Sequence, residues 1–321
     1  MRNKRFLSIA ALGAAAALTL GACGADDNGD SDNGTENGGT TETDDTNGES
    51  EGGEGSEDKT ISISIHSGWD EGIAVSYLWK AALEEAGYEV ELGDPAEAGP
   101  NYVAIAGGDF DLNFDMWLPI THEDYWDEYG DDMEQLGYWY DQAVLTIAVN
   151  EDAPIDSLTE LADHADEFGN RIVGIEPGAG LTRVTQDEAI PTYGLEGMDF
   201  VESSTPAMLA ELSGATDNNE NIVVTLWRPH WAYDEFPIKD LEDPEGAMGD
   251  AEKIYMVGRD GFSADHPEVA EAIGNFKLTD EQLFSLENIM FNEDGGEDPE
   301  GSLAKWLEDE DNKAFFDSML G

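Results

Sequence analysis

The sequence predicts a two-lobed α/β protein, with two parallel or mixed sheets and a ligand cleft between the lobes. From Lys59 onward, segments with strand periodicity alternate with amphipathic ones in two successive β-α-β-α-β series. The chain is also long enough for more than one core: 321 residues, 40% of them apolar. Bodies of this kind bind ligands at the carboxyl ends of their strands, between the lobes.

The elements follow in order. Residues 1–22 read as a lipoprotein signal peptide. Arg2, Lys4 and Arg5 form a basic start, and Phe6–Leu20 is a largely apolar run too short to span a membrane comfortably. The "LGAC" that ends it is similar to the lipobox of bacterial lipoproteins. Cys23, the only cysteine in the chain, is therefore expected to carry lipid. Residues 23–58 read as an acidic, disordered, self-repelling tether, with 13 acids and no Lys or Arg between 24 and 58. Its Asp/Asn/Gly pattern lacks the spacing of an EF-hand.

The first lobe is expected from residues 59–150 together with about 250–321. "TISISIH" has strand periodicity, and "EGIAVSYLWKAALEEAGY" is an amphipathic helix closed by Gly87. "EVELGD", "DLNFDMWLP" and "AVLTIAVNE" read as further strands, and "GPNYVAIAGGD" as a short helix. The second lobe is expected over 151–249. There "SLTELADHADEFG", "GLTRVTQDEAIPTYGL" and "TPAMLAELSGA" read as helical, and "RIVGIEPG", "DFVESS" and "NIVVTLW" as strands. "HPEVAEAIGNF" and "LAKWLEDEDNKAFFDSML" are surface helices. Chain crossings are expected near 148–152 and within 232–256.

Charge narrows the environment and the partners. There are 14 Lys+Arg against 73 Asp+Glu, a net of −59. Leaving out residues 1–58 still leaves −49, so the tether is not the cause. Phosphate binding needs the opposite sign, which argues against nucleic acid as a partner. Self-repulsion of this size destabilises a compact state. Molar salt, with a Debye length of about 3 Å, screens it. The balance therefore predicts a protein adapted to saline surroundings.

Function is expected just after the strands. Trp69 follows "TISISIHSG", Trp117 ends "DLNFDM" and Trp227 ends "NIVVTL". An indole face attracts cations, best of all an alkylated ammonium. Indoles that merely plug the seam between lobes would occupy the same places. Trp79 and Trp306 sit in helical patterns and read as core, whereas Trp126, Trp139 and Trp231 fit either role. In "IEPGAGLTRVT", Gly178 and Gly180 permit a tight turn and a helix begins near Leu181. The unpartnered N–H groups of a helix start attract carboxylates, though many ordinary βα turns look alike. His122, in "WLPITH", is a donor for a carboxylate or a structural histidine. Together these pieces describe a ligand with a donorless cation and a carboxylate, as in glycine betaine.

"SGWDEGIA", "DMWLPITH", "VGIEPGAGL", "VTLWRPHWAY", "KDLEDPEG" and "RDGF" together resemble the substrate-binding proteins of glycine betaine/proline betaine ABC importers (the OpuAC-like family), over about residues 60–280. The resemblance implies a type II periplasmic-binding-protein-like fold. It implies that Trp69, Trp117 and Trp227 form a prism around the trimethylammonium group. The ligand carboxylate would be held by the backbone amides of Gly180 and Leu181 and by His122. It also implies a membrane ABC permease as partner and a place on the extracytoplasmic face of the cell membrane, with neither cofactor nor metal. Choline, carnitine, proline betaine, a sulfonium analogue and ectoine remain alternative ligands, and a sensory module of the same fold an alternative role. An enzyme is not expected. The chain has no G-x-S-x-G elbow, no H-E-x-x-H helix and no cysteine nucleophile. Its five histidines show no metal-ligand spacing.

Overall fold

The structure is a computed structural model that describes residues 59–320. The expected signal segment 1–22, Cys23 and the tether 23–58 lie outside the described residues.

Strand β1 (Thr60–Ile63) turns Ile61 and Ile63 into the core. Helix α1 (Asp70–Glu85) buries Ala74, Val75, Leu78, Trp79, Ala82 and Leu83, the three- and four-residue spacing of one helical face. Strand β2 (Glu89–Leu92), helix α2 (Ala98–Ala106) and strand β3 (Leu112–Leu118) complete a βαβαβ series. β1 pairs in parallel with β2 and with β3. β3 is buried at all seven positions, as a strand covered on both faces must be. Where α1 crosses β3 the helix presents Gly72, whose Cβ would fall 2.4 Å from Asp115 Oδ2. Trp79 packs on Phe114 at 5.9 Å and edge-on to Phe276 at 5.2 Å. Truncating Trp79 to alanine would cost about 3–5 kcal/mol.

After helix α3 (Glu123–Tyr129) comes β4 (Met133–Asn150), at 18 residues the longest strand described. The sequence places this strand only from Ala143. Its first half escapes because it slips register against β9 (Glu252–Arg259) three times, so its side chains keep no period-two alternation. Strands β5 (Arg171–Val173), β6 (Asp199–Val201), β7 (Val223–Arg228) and β8 (Ile238–Asp240) follow. The order across the sheet is β2-β1-β3-β9-β4-β7-β5-β6, with β8 also beside β4. The sheets are mixed: β5 is parallel to β6 and β7, but β4 runs antiparallel to β7, β8 and β9. β8 and β9 have no counterpart in the sequence reading.

β4 joins the two lobes. Up to Ala143, paired with Glu252, its partner is β9; from Val144, paired with Arg228, its partner is β7. The chain returns through the segment between β8 and β9. The later helices Asp280–Glu287 and Pro299–Trp306 pack against α1. The single expected helix over "LAKWLEDEDNKAFFDSML" is two, because Asp309 accepts the N–H groups of Asp311 and Asn312 and starts a new helix, Glu310–Asp317.

Candidate functional site

The ends of β1, β3 and β7 deliver three indoles to one place. Beyond β1, Gly68 turns the chain at φ +79 and Trp69 becomes the N-cap of α1. Trp117 is the penultimate residue of β3, and Trp227 that of β7. With His122, Gly180 and Leu181 they line a cavity of about 290 Å³. All six residues singled out in the sequence are thus brought together. Glu71, Thr121, Leu145, Ile175 and Ala179 complete the wall. Trp79, Trp139 and Trp306 are buried elsewhere in the core, and the Trp139 indole N–H donates to the Phe114 carbonyl at 2.7 Å. Trp126 is half-buried.

The rings are held from behind. Trp69 stacks on His66 at 4.4 Å and on His122 at 5.3 Å. The two imidazoles are only 6.4 Å apart, too close to lie on opposite faces of the indole. Both therefore support Trp69 from one side. Trp117 donates its indole N–H to Asp115 Oδ1 at 2.7 Å, and Trp227 donates to Glu71 Oε2 at 3.1 Å. Trp231, which the sequence left open, repeats the arrangement with Asp70 Oδ2 at 2.6 Å. Three indole N–H groups thus end on three buried carboxylates. Burial pushes the Asp70 and Asp115 carboxyls up to about 7 and the Glu71 carboxyl well above the ordinary carboxylate range.

His122 is oriented by its own strand. Its Nδ1 accepts the backbone N–H of Trp117 at 2.9 Å, beside the Tyr102 hydroxyl at 3.0 Å. Tyr102 in turn donates to the Asp115 carbonyl at 2.8 Å. With Nδ1 occupied as an acceptor, the ring's proton is assigned to Nε2. Burial, reinforced by His66 and Arg183, drives the His122 pKa well below its ordinary value, so the ring is neutral and a donor through Nε2.

Gly180 opens the helix Gly180–Val184, where the first N–H groups have no partner within the helix. Its glycine has a reason the turn-based reading missed. A Cβ there would sit 1.8 Å from the Thr121 carbonyl oxygen, so only glycine allows the two lobes to approach this closely. Around that contact the lobes are latched. Arg183 donates from Nη2 to the Ile120 carbonyl at 2.7 Å and pairs with Asp124 at 3.1 Å, and Tyr125 donates to the Gly178 carbonyl at 2.9 Å. Glu252, at the start of β9, fixes the turn itself by accepting the N–H groups of Ile120 at 2.6 Å and Thr121 at 2.9 Å. The cavity is therefore that of a closed cleft.

Sequence reasoning missed Glu71, Asp115, Tyr102, Arg183 and Glu252. Carboxylates number 73, and no spacing rule separates a buried one from the rest. Among the described residues, no group of three or more His, Cys, Asp or Glu is placed to hold a metal ion. No described helix is long and apolar enough to cross a membrane.

Residues 59–309 match the family model described as the substrate binding domain of the ABC-type glycine betaine transport system. The chain is 34% identical over 163 residues to the glycine betaine/carnitine transport binding protein GbuC of Listeria monocytogenes, covering 50% of this chain and 52% of GbuC. It is 24% identical over 176 residues to the glycine betaine-binding periplasmic protein OusX of Dickeya dadantii, covering 49% and 51%. The chain thus matches about half the length of each of these relatives. Its fold is similar to lactococcal OpuAC complexed with glycine betaine, with a TM-score of 0.75 and 27% identity, covering 82% of this chain and 100% of that one. It is also similar to an ABC-transporter choline binding protein in complex with choline, with a TM-score of 0.72 and 26% identity, covering 82% and 99%.

Proposed function

The chain belongs to the family of substrate-binding domains of ABC-type glycine betaine transport systems, and on that premise we propose that it is the extracytoplasmic receptor that delivers glycine betaine to a membrane permease. The observation that carries this reading is the single cavity walled by Trp69, Trp117 and Trp227, each from a different strand end, and shared with His122, Gly180 and Leu181. The trimethylammonium group enters among the indole faces. The carboxylate takes the N–H groups of Gly180 and Leu181 and the His122 Nε2–H.

Each indole face contributes about 0.5–2 kcal/mol to a desolvated cation, and each charge-assisted hydrogen bond adds about 1.5–3 kcal/mol.

Calorimetric titration with glycine betaine in molar salt tests the reading. Saturable binding at micromolar concentration is expected, and it should fall at least tenfold in Trp117→Ala. Absence of binding to any quaternary ammonium solute would overturn it. Choline is the second reading, favoured by the Glu71 side chain in the wall, which can face a cation that brings no carboxylate of its own. The same proposal includes attachment through lipidated Cys23, with residues 23–58 as tether, and operation in brine, where salt screens the net charge of −59.

A further inference from the structure

The cavity wall at Glu71 and the buried layer behind the indoles hold more negative charge than they balance. Asp70, Glu71, Asp115 and Glu287 are all buried. Their electrostatic neighbours are one another, Asp234 and indole or backbone N–H groups; no Lys or Arg is among them. Asp115 Oδ2 has no hydrogen-bond partner at all, because Gly72 of α1 packs directly on it. Burying an anion without a counter-ion costs several kcal/mol, and the usual escape is to keep the proton. Yet two of these carboxylates are bonded to rings that line the cavity, Asp115 to Trp117 and Glu71 to Trp227.

We propose that Asp115 and Glu71 are the counter-charge for the ligand's cation: a permanent cation entering the cavity draws this carboxylate group into its ionised form, and binding expels a proton to solvent. This deepens the receptor reading and rests on it. The balance is simple. No covalent bond changes except one carboxyl O–H, whose proton passes to the buffer while the carboxylate keeps the electron pair. An opposite charge within about 4–6 Å lowers a carboxyl pKa by about 1–3 units. A carboxyl that is partly protonated at neutral pH when the cavity is empty is then ionised when it is filled.

The groups that face Asp115 support this direction. Glu71 on α1 is a like charge, and Glu287, on the helix Asp280–Glu287, acts in the same sense on Glu71. Tyr102 on α2 is held as a neutral phenol by burial and by Asp115. The Trp117 indole N–H, on β3 itself, is the one group that favours the anion. Burial leaves Asp115 and Asp70 at about 7, so the loss of a proton is within reach at neutral pH. The imidazoles of His66 and His122 are driven down by burial and stay neutral, so they do not supply the missing positive charge.

The test is calorimetry of the full chain with glycine betaine, near pH 7 in molar salt, in phosphate and in Tris, whose ionisation enthalpies differ. The heats should differ by a sizeable fraction of a proton released per ligand, and the affinity should rise with pH through about 7. Asp115→Asn keeps an oxygen for the Trp117 N–H but cannot ionise. It should reduce the proton release and weaken betaine about tenfold, one pKa unit of coupling. The isostere 3,3-dimethylbutanoate, which keeps the carboxylate but has an uncharged tert-butyl group where betaine has its cation, should release no proton, and its affinity should not change in that variant. Betaine binding with the same heat in both buffers would overturn the proposal while leaving the receptor reading intact. No binding of any quaternary ammonium would overturn both. The two-buffer measurement on the unaltered chain decides the matter even if Asp115→Asn does not fold.

Discussion

The groups assigned to the ligand's cation and those assigned to its carboxylate are built from different materials. The cation side is side chains: three indoles, two of them anchored through their N–H groups to Asp115 and Glu71. The carboxylate side is mostly backbone, the N–H groups of Gly180 and Leu181, with one imidazole fixed through its Nδ1. The difference teaches where the site is graded and where it is brittle. An indole can be lost and leave two faces behind. The backbone donors exist only if the lobes approach to within the space a glycine leaves.

Gly180→Ala is accordingly the change expected to do most. The added methyl would meet the Thr121 carbonyl, a backbone atom tied to Glu252 through its own residue's N–H, so neither side yields cheaply. Closure should fail, and affinity for every ligand, betaine and choline alike, should drop by at least about a hundredfold, or about 2.7 kcal/mol. Titration of both ligands checks it. A variant that binds either one normally would show that the close approach is not needed.

His122→Ala separates the two sets of groups. It removes one charge-assisted donor, about 1.5–3 kcal/mol, from a carboxylate and nothing from a ligand without one. Betaine affinity should fall about ten- to a hundredfold while choline affinity stays within about a factor of three, given that Trp69 keeps its stack on His66. Equal losses for the two ligands would mean that His122 serves only to support the Trp69 ring.

What the sequence makes legible follows the same division. Trp69, Trp117 and Trp227 can be found because tryptophan is rare and a strand end is a recognisable address. Gly180, Leu181 and His122 can be found because a glycine-rich strand-to-helix turn and a histidine after "WLP" are local patterns. Asp115 and Glu71 are hidden, since acids are everywhere in this chain and only tertiary packing decides which are buried. The fold shows the same limit. α1 and β1–β3 are readable from local periodicity. The first half of β4 is not, because three register shifts against β9 erase the alternation. β9 itself joins the sheet between β3 and β4, a partnership set by contacts distant in sequence.

The hidden carboxylates have a smaller but measurable signature in the ligand-free protein. Burial raises Asp70 and Asp115 from 3.8 to about 7, and Glu71 and Glu287 also lie well above the ordinary value. A raised carboxyl binds its proton more tightly folded than unfolded. Its stabilisation is complete below the unfolded pKa and is lost as pH rises through the folded one. The buried histidines oppose this. His66 and His230 are lowered from 6.5 to about 3, and His122 is also well below 6.5, so their contribution is complete above 6.5 and lost as pH falls. Between about 4 and 6.5 the two families offset each other. Above 6.5 only the carboxylates still change, and they destabilise. The ligand-free Tm in molar salt should therefore change little between about 4.5 and 6.5 and fall by several degrees from there toward pH 8. Asp115→Asn should flatten that decline, and saturating betaine should flatten it further by supplying the counter-charge. A Tm that climbs over the same interval would mean that these four groups are ionised and compensated before any ligand arrives.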